Sequence, residues 1–200
     1  MELSDSKKDI LKELFNTGVG KACSALNIIV GSPVELSVPD INVFRRDDLI
    51  KEFPLLGEST LSSVGQKFSG PFSGTALMVL ESQSASKLIS LLIDEDESAP
   101  DFEAIKGETL AEVGNILLNG IIGTLGNMVD KRFTYSLPEL HEGSVDSVVS
   151  LGYGEGDLVI ILVKTKFNVS EHKIDGDFAY IFEVDSYEKL RDELERLEKA

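Results

Sequence analysis

Two stretches of the chain repeat one pattern 99 residues apart, and this repetition limits the folds that the chain can adopt. Glu13 and Asn16 in the first stretch correspond to Glu112 and Asn115 in the second. In each stretch a proline lies 23 positions after the asparagine. Self-similarity at a fixed spacing is typical of an internal duplication, in which both halves adopt the same order of helices and strands.

A further match relates the ends of the two halves, since residues 74–88 align without gaps with residues 176–190 at an offset of 102. An acidic run that ends in proline, Asp94–Pro100, separates the halves and is typical of a solvated linker. We therefore expect a single domain over all 200 residues, made of repeat 1 (about 1–94) and repeat 2 (about 101–200).

Apolar side chains recur at helical spacing over residues 5–30 and 102–129, which predicts two long amphipathic helices. Ser4 or Asp5 can cap the first helix, and Gly31 ends it. The expected core positions are Leu11, Leu14, Phe15, Gly18, Ala22, Ala25, Leu26 and Ile29 on the first helix, and Leu110, Val113, Gly114, Leu117, Ile121, Leu125 and Met128 on the second. The opposite faces, which carry the repeated Glu and Asn residues, should be solvent-exposed.

Strand-like alternation and turn residues separate these helices, with shorter helical patterns at 84–93 and 187–199. The predicted strands are 34–44, 58–69, 71–80, 133–138, 145–153 and 157–169. Residues 45–56 are expected to form a loop that can include a helical turn. Hairpin-linked strands between helices predict an α+β fold. We expect a largely antiparallel sheet, flanked by long helices and pseudo-twofold symmetric.

Charge and cysteine content exclude several classes of function. The net charge of −16 would repel a phosphate backbone and an anionic membrane surface, so neither nucleic acid nor membrane is an expected partner. The single cysteine, Cys23, excludes an intramolecular disulfide and fits a reducing cytoplasm. The longest uncharged run, residues 113–129, is broken by asparagines and glycines, which favours a buried helix over a membrane span.

Each repeated pair places a carboxylate beside a carboxamide, because residues three apart on a helix are surface neighbours. A carboxamide both donates and accepts hydrogen bonds and can hold a water in one orientation, and a carboxylate can bind a cation on a partner. That combination suits hydrolysis of an activated bond such as a phosphoryl group, where orientation is the main requirement. Simple descent of a duplicated structural unit is the alternative. Agreement on the exposed face, where packing imposes no constraint, favours the functional interpretation.

At these residues the chain resembles the CheC-type phosphatases of chemotaxis, the family of CheC, CheX and FliY. The family pattern is Asp or Ser, three residues, Glu, two residues, Asn, then 22 residues and Pro. The first half satisfies every position, with Asp9, Glu13, Asn16 and Pro39. In the second half Glu112, Asn115 and Pro138 match, and Glu108 stands where Asp or Ser is expected. The layout and length are similar to those of CheC.

The resemblance implies hydrolysis of the aspartyl phosphate of the response regulator CheY. In the family the asparagine orients the attacking water and the glutamate pairs with a lysine of the regulator, so Glu13, Asn16, Glu112 and Asn115 are the expected catalytic residues. The regulator holds the Mg²⁺, so no cofactor or metal site is expected on this chain. CheD is a further partner of the family.

Four more residues are expected to contact the partner: Asp9, Gly20, Glu108 and Asn119. Gly20 and Asn119 lie one helical turn beyond their pairs, and a small residue there would allow a partner backbone to approach closely.

The first motif departs from the family, because Phe15 stands where glycine is usual, whereas the second keeps Gly114. We expect the helix to turn Phe15 inward and both sites to be competent. The alternative function is a non-catalytic adaptor that binds CheD or the flagellar switch.

Overall fold

The computed structural model describes residues 3–30, 33–52, 60–150, 157–169 and 172–199. The helices in this part of the chain are α1 (Asp5–Val30), α2 (Arg46–Glu52), α3 (Ser82–Ile93), α4 (Phe102–Val129), α5 (Val145–Ser150) and α6 (Val184–Glu198). The strands are β1 (Val34–Arg45), β2 (Leu61–Ser69), β3 (Gly74–Glu81), β4 (Thr134–Tyr135), β5 (Glu139–Gly143), β6 (Leu158–Val169) and β7 (His172–Glu183).

All seven strands belong to one sheet, in which every neighbouring pair is antiparallel. The order across the sheet is β1-β6-β7-β3-β2-β4, and β5 pairs with β2 beside β4. The predicted α+β class and the antiparallel sheet are confirmed. The duplication and the pseudo-twofold symmetry stay predictions.

Helices cover both faces of the sheet, and the alternation of side chains along the central strands divides the core in two. Phe178 and Tyr180 of β7 point into the larger core, which also contains the buried residues of α1, α3, α4 and α6. Ala179 and Ile181 point into the smaller core, which contains Leu49 of α2 and three valines of α5. The two long helices therefore share one face of the sheet.

The two long helices cross through small residues. A methyl group built on Gly18 of α1 would lie 2.8 Å from the Cα of Ile121, and one built on Gly120 of α4 would lie 2.6 Å from the Cβ of Ala22. These distances leave no room for side chains, so the backbones approach closely at this point. Gly20 differs, because nothing lies within 4 Å of the position of its Cβ.

Contacts with α6 give the relative direction of the two long helices. Lys7, near the start of α1, forms an ion pair of 3.8 Å with Glu195, and Arg196 donates a hydrogen bond of 3.3 Å to the carbonyl of Val129 at the end of α4. The start of one helix and the end of the other thus lie against the same part of α6. The helices run antiparallel.

The bounds of both long helices agree with the prediction. At the start of α1 the backbone N–H of Lys7 donates to the Ser4 Oγ at 3.4 Å, as expected for a capping serine. Gly31, the expected end of α1, lies outside the described residues. Ala25, expected in the core, is exposed, because it lies at the edge of the apolar arc.

The predicted strand at residues 145–153 is wrong over its described part, where residues 145–150 form α5. Val145, Val148 and Val149 follow a helical spacing and pack on the sheet. The free energy gained by burying them on one helix face outweighs their intrinsic β-propensity. Ser144 caps the turn, since its Oγ accepts the N–H of Ser147 at 3.3 Å. Residues 151–153 lie outside the described residues.

The predicted strand at 133–138 is confirmed only for Thr134–Tyr135, which form β4 against β2. The predicted strands included neither β5 nor β7, although the alignment of residues 176–190 with residues 74–88 relates β7 to β3. Residues 46–52 form α2 within the expected loop, and residues 53–56 lie outside the described part of the chain. The remaining predicted helices and strands occur with ends shifted by a few residues, as is usual at element boundaries.

Cys23 is buried against the sheet side of α1, and burial raises the pKa of its thiol to about 11. This fits a structural role for the side chain. Among the described residues, none of the helices combines the length and the apolar character needed to cross a membrane.

Asp177 of β7 lies on the face of the smaller core, opposite Lys164 in the pairing of β6 with β7. Burial raises the pKa of its carboxyl to about 6, although Lys164 and a hydrogen bond from the backbone of Thr165 partly oppose the shift. At neutral pH the ionised carboxylate of Asp177 therefore lowers the stability of the folded state.

Replacement of Gly18 by alanine should destabilise the protein by about 1–3 kcal/mol, because the methyl group overlaps the backbone of α4. Gly20→Ala on the same helix is the matched control, and it should stabilise the protein by about 0.5–1 kcal/mol through helix propensity alone. Urea denaturation of both variants measures the difference. Equal effects of the two substitutions would show that the helices do not cross at Gly18.

The stability of the protein should fall as the pH rises from 5 to 7, through the raised pKa of Asp177. The folded state binds the proton more tightly than the unfolded state, so this contribution is fully present below the unfolded pKa and is lost above the folded one. Asp177→Asn should remove about 1 kcal/mol of this pH dependence. Urea denaturation of both proteins at the two pH values tests the expectation, and parallel pH profiles would contradict it.

Candidate functional site

The exposed face of α1 carries the first set of predicted site residues. Asp9, Glu13, Asn16 and Gly20 are all exposed, and their spacing places them along one line of the helix. The opposite face is held against the sheet by buried residues such as Leu14, so the line points to solvent. This arrangement leaves a carboxylate and a carboxamide accessible to another macromolecule.

The corresponding face of α4 carries Glu108, Glu112, Asn115 and Asn119. The two glutamates are exposed, and the two asparagines are partly buried. The Nδ2 of Asn119 donates a hydrogen bond of 2.7 Å to the Oδ1 of Asn115. The Oδ1 of Asn119 is itself buried and accepts no hydrogen bond from the described residues.

This hydrogen bond makes the two faces chemically different. The oxygen of the Asn115 carboxamide accepts this bond, which orients the amide and leaves its NH₂ group as a donor for a further partner. On α1 the residue one turn beyond the asparagine is Gly20, which offers no side chain. No described residue forms a side-chain hydrogen bond with Asn16.

The packing beneath each helix explains why glycine precedes the asparagine in one motif and phenylalanine precedes it in the other. A methyl group built on Gly114 would lie 2.6 Å from the side chain of Val64, so α4 rests directly on β2. Phe15 is instead buried, and its ring centroid lies 5.0 Å from that of Tyr180. Phe15 points inward as predicted, and it leaves the exposed face of α1 free.

The two sets stay on separate helices, and no hydrogen bond or ion pair joins them within the described residues. They lie near the helix crossing, since Gly18 falls between Asn16 and Gly20, and Gly120 follows Asn119 directly. Among the described residues, no group of three His, Cys, Asp or Glu side chains is placed to hold a metal ion. Each set could position a water and bind a cation.

Sequence reasoning missed two features of the α4 face. The first is the bond between Asn119 and Asn115, for which the only signal was their spacing of four residues. The second is a group of exposed apolar side chains beside α4, at Tyr135, Leu137 and Leu140.

Comparison with curated proteins finds similarity over most of the chain. The chain is 24% identical over 200 residues to the CheY-P phosphatase CheC of Bacillus subtilis, and the match covers 94% of this chain and 93% of that protein. It is 22% identical over 170 residues to the flagellar motor switch phosphatase FliY of the same organism, covering 84% of this chain but only 43% of that protein. No protein-family model matches the chain.

Solved structures share the fold. Thermotoga maritima FliY superposes with a TM-score of 0.76 at 16% identity, over 98% of this chain and 100% of that one. The Helicobacter pylori FliG–FliM complex contains a similar chain, with a TM-score of 0.65 at 17% identity over 96% of this chain and 100% of that one. The complex of CheX with CheY, BeF₃ and Mg²⁺ from Borrelia burgdorferi contains another, with a TM-score of 0.53 at 18% identity over 83% and 96%. These relatives and neighbours confirm the resemblance to the CheC, CheX and FliY family that the two motifs indicated.

Proposed function

We propose that the protein is a phosphatase that hydrolyses the aspartyl phosphate of a CheY-type response regulator. The observation that carries this proposal is the exposed Glu/Asn pair on each of two long helices, in a chain similar along 94% of its length to a CheY-P phosphatase. A chain of similar fold, CheX, forms a complex with CheY, and this supports the proposal further. The regulator is a cytoplasmic protein in this proposal, so the phosphatase works in the cytoplasm.

In the proposed mechanism one helix face docks on the active site of the regulator. The carboxamide of Asn16 or Asn115 hydrogen-bonds the attacking water and holds it in line with the phosphorus. The water oxygen bonds to phosphorus, and the aspartate carboxylate of the regulator leaves with the electrons of the broken bond. Glu13 or Glu112 pairs with a lysine of the regulator and fixes the orientation of the two proteins.

The charge-stabilising groups come from the other molecule. Mg²⁺ belongs to the phosphorylated substrate in this proposal, and the chain contributes no cofactor of its own. Asp9, Gly20 and Glu108 lie one turn from the pairs and would contact the regulator around them, whereas Asn119 would orient Asn115 through their hydrogen bond.

We also propose that the domain is an internal duplication of residues 1–94 and 101–200. The strand order of the sheet supports this proposal. When each strand is replaced by its counterpart in the other half, the same order results, read from the opposite edge. β1 then exchanges with β4 and β5 at the edges, β6 exchanges with β2, and β7 exchanges with β3. A duplication would account for two faces that each carry the pair.

A non-catalytic adaptor that binds CheD or the flagellar switch is the second candidate. It is favoured by one observation, namely that chains of FliM in complex with FliG share the fold. Binding of CheD or a switch protein, together with an unchanged lifetime of the phosphorylated regulator, would support the adaptor over the phosphatase.

The two asparagines should act independently. Asn16→Ala and Asn115→Ala should each leave measurable activity, and the double variant should lose about a hundredfold, because the water is no longer oriented. Phosphate release from phosphorylated CheY in the presence of Mg²⁺ provides the measurement. Asn127→Ala, an exposed asparagine near the end of α4, is the control and should retain full activity. A double variant as active as the unmodified protein would refute the proposed mechanism.

Asn119 should act as a positioning residue for Asn115. In an Asn16→Ala background, Asn119→Ala should lower kcat about fivefold with KM unchanged, since one orienting hydrogen bond is worth about 1 kcal/mol. Gly123→Ala, one turn further on the same face in open space, is the matched control. A rise in KM without a change in kcat would instead assign Asn119 to docking.

A further inference from the structure

An exposed apolar strip lies at the edge of the sheet beside α4. It consists of Tyr135, Leu137 and Leu140, whose side chains are 42%, 83% and 37% exposed. Neighbouring exposed apolar residues on a soluble chain mark an interaction surface more often than scattered ones do. Nothing in the catalytic role of the Glu/Asn pairs accounts for these three side chains.

Two contacts fix the position of the strip along α4. Near one end, the Cδ2 of Leu140 lies 3.3 Å from a methyl group built on Gly107, and at the other, a ring carbon of Phe133 lies 3.3 Å from one built on Gly126. The segment between these contacts, which contains Tyr135 and Leu137, therefore runs beside the middle of the helix. Asn115 lies in this part of α4.

Strand pairing shows which face of the sheet the strip occupies. Tyr135 is paired with Phe68, and Leu140 is paired with Val64. Directly paired residues share a face, and both Phe68 and Val64 belong to the core beneath α4. Tyr135 and Leu140 therefore lie on the α4 side of the sheet, and the exposed Leu137 lies between them in the chain.

Among the residues that the structure describes, no comparable exposed apolar strip lies beside the α1 face. Val38 and Ile41 of β1, the strand that follows α1, are buried. The one large apolar side chain of α1 that is exposed within the described residues is Ile28, at 85%. It lies 12 residues beyond Asn16, or about 18 Å along the helix.

The surroundings of the strip are acidic. Glu108 and Glu112 of α4 and Glu139 and Glu142 of β5 are exposed. Of the nearby cations, Lys106 is buried and paired with Glu103 at 2.6 Å and with Glu142 at 3.8 Å. The exposed Lys67 of β2, whose backbone N–H donates to the Ser136 Oγ, precedes the core residue Phe68 and so faces the other side of the sheet. A complementary partner would present an apolar contact bordered by lysine or arginine side chains.

We propose that the apolar strip is a docking surface for the receiver domain of the phosphorylated regulator, and that it makes the α4 pair the higher-affinity of the two sites. This inference rests on the proposed phosphatase function. The strip continues the proposed contact surface at Glu112 and Asn115, and its acidic border matches a partner that already offers a lysine to the glutamate. The α1 pair binds the same regulator without the apolar contact.

The test uses the full chain with each site isolated, Asn16→Ala leaving only the α4 pair and Asn115→Ala leaving only the α1 pair. Leu137→Ser is added to each background, with Ile28→Ser as the matched control of similar exposure. Both residues are exposed, so neither change should impair folding, which circular dichroism checks. Phosphate release at varied concentrations of phosphorylated CheY gives KM and kcat.

With the α4 pair alone, Leu137→Ser should raise KM about tenfold with kcat unchanged, as expected for the loss of one buried leucine contact. With the α1 pair alone it should change neither constant, and Ile28→Ser should change neither in either background. A KM that is equal for the two isolated sites and insensitive to Leu137→Ser would overturn the inference and leave the phosphatase function intact. Absence of phosphate release with the unmodified chain as well as with both isolated sites would instead refute the function. A change from dimer to monomer in Leu137→Ser, measured by light scattering, would assign the strip to self-association.

Discussion

The close crossing of α1 and α4 is the constraint on which the rest of the structure depends. Gly18 and Gly120 allow the two backbones to touch, and this contact lets both helices lie together on one face of a seven-stranded sheet. A helix with one buried face must expose the other. The crossing therefore places two polar faces at the surface, and each carries a carboxylate beside a carboxamide.

Long-range periodicity made the helices predictable from sequence. The runs at 5–30 and 102–129 are long enough that their apolar spacing outweighs local ambiguity, and the structure has the same bounds. The short valine-rich run at 145–150 had no such advantage, because three valines fit a strand and a helix equally well until the packing surface is known. The paired Glu and Asn residues were found because they recur on the exposed face.

The differences between the two faces could not be read from the residue pattern. The bond from Asn119 to Asn115 depends on side-chain rotamers, which spacing alone does not determine. The exposure of Leu137 depends on how the chain passes between β4 and β5, where the predicted strand is broken. Apolar residues in a predicted strand are expected to be buried, so their exposure was visible only in the folded chain.

The open space around Gly20 has a consequence for how the two faces relate. Because no atom lies within 4 Å of the position of its Cβ, a larger side chain could be accommodated there without any movement of the sheet or of α4. The hydrogen bond between Asn119 and Asn115 therefore has no counterpart on α1 because Gly20 has no side chain. The backbone of α1 leaves room for one. A small change in sequence is enough to make two similar faces unequal, or to make them alike, while the fold beneath them stays the same.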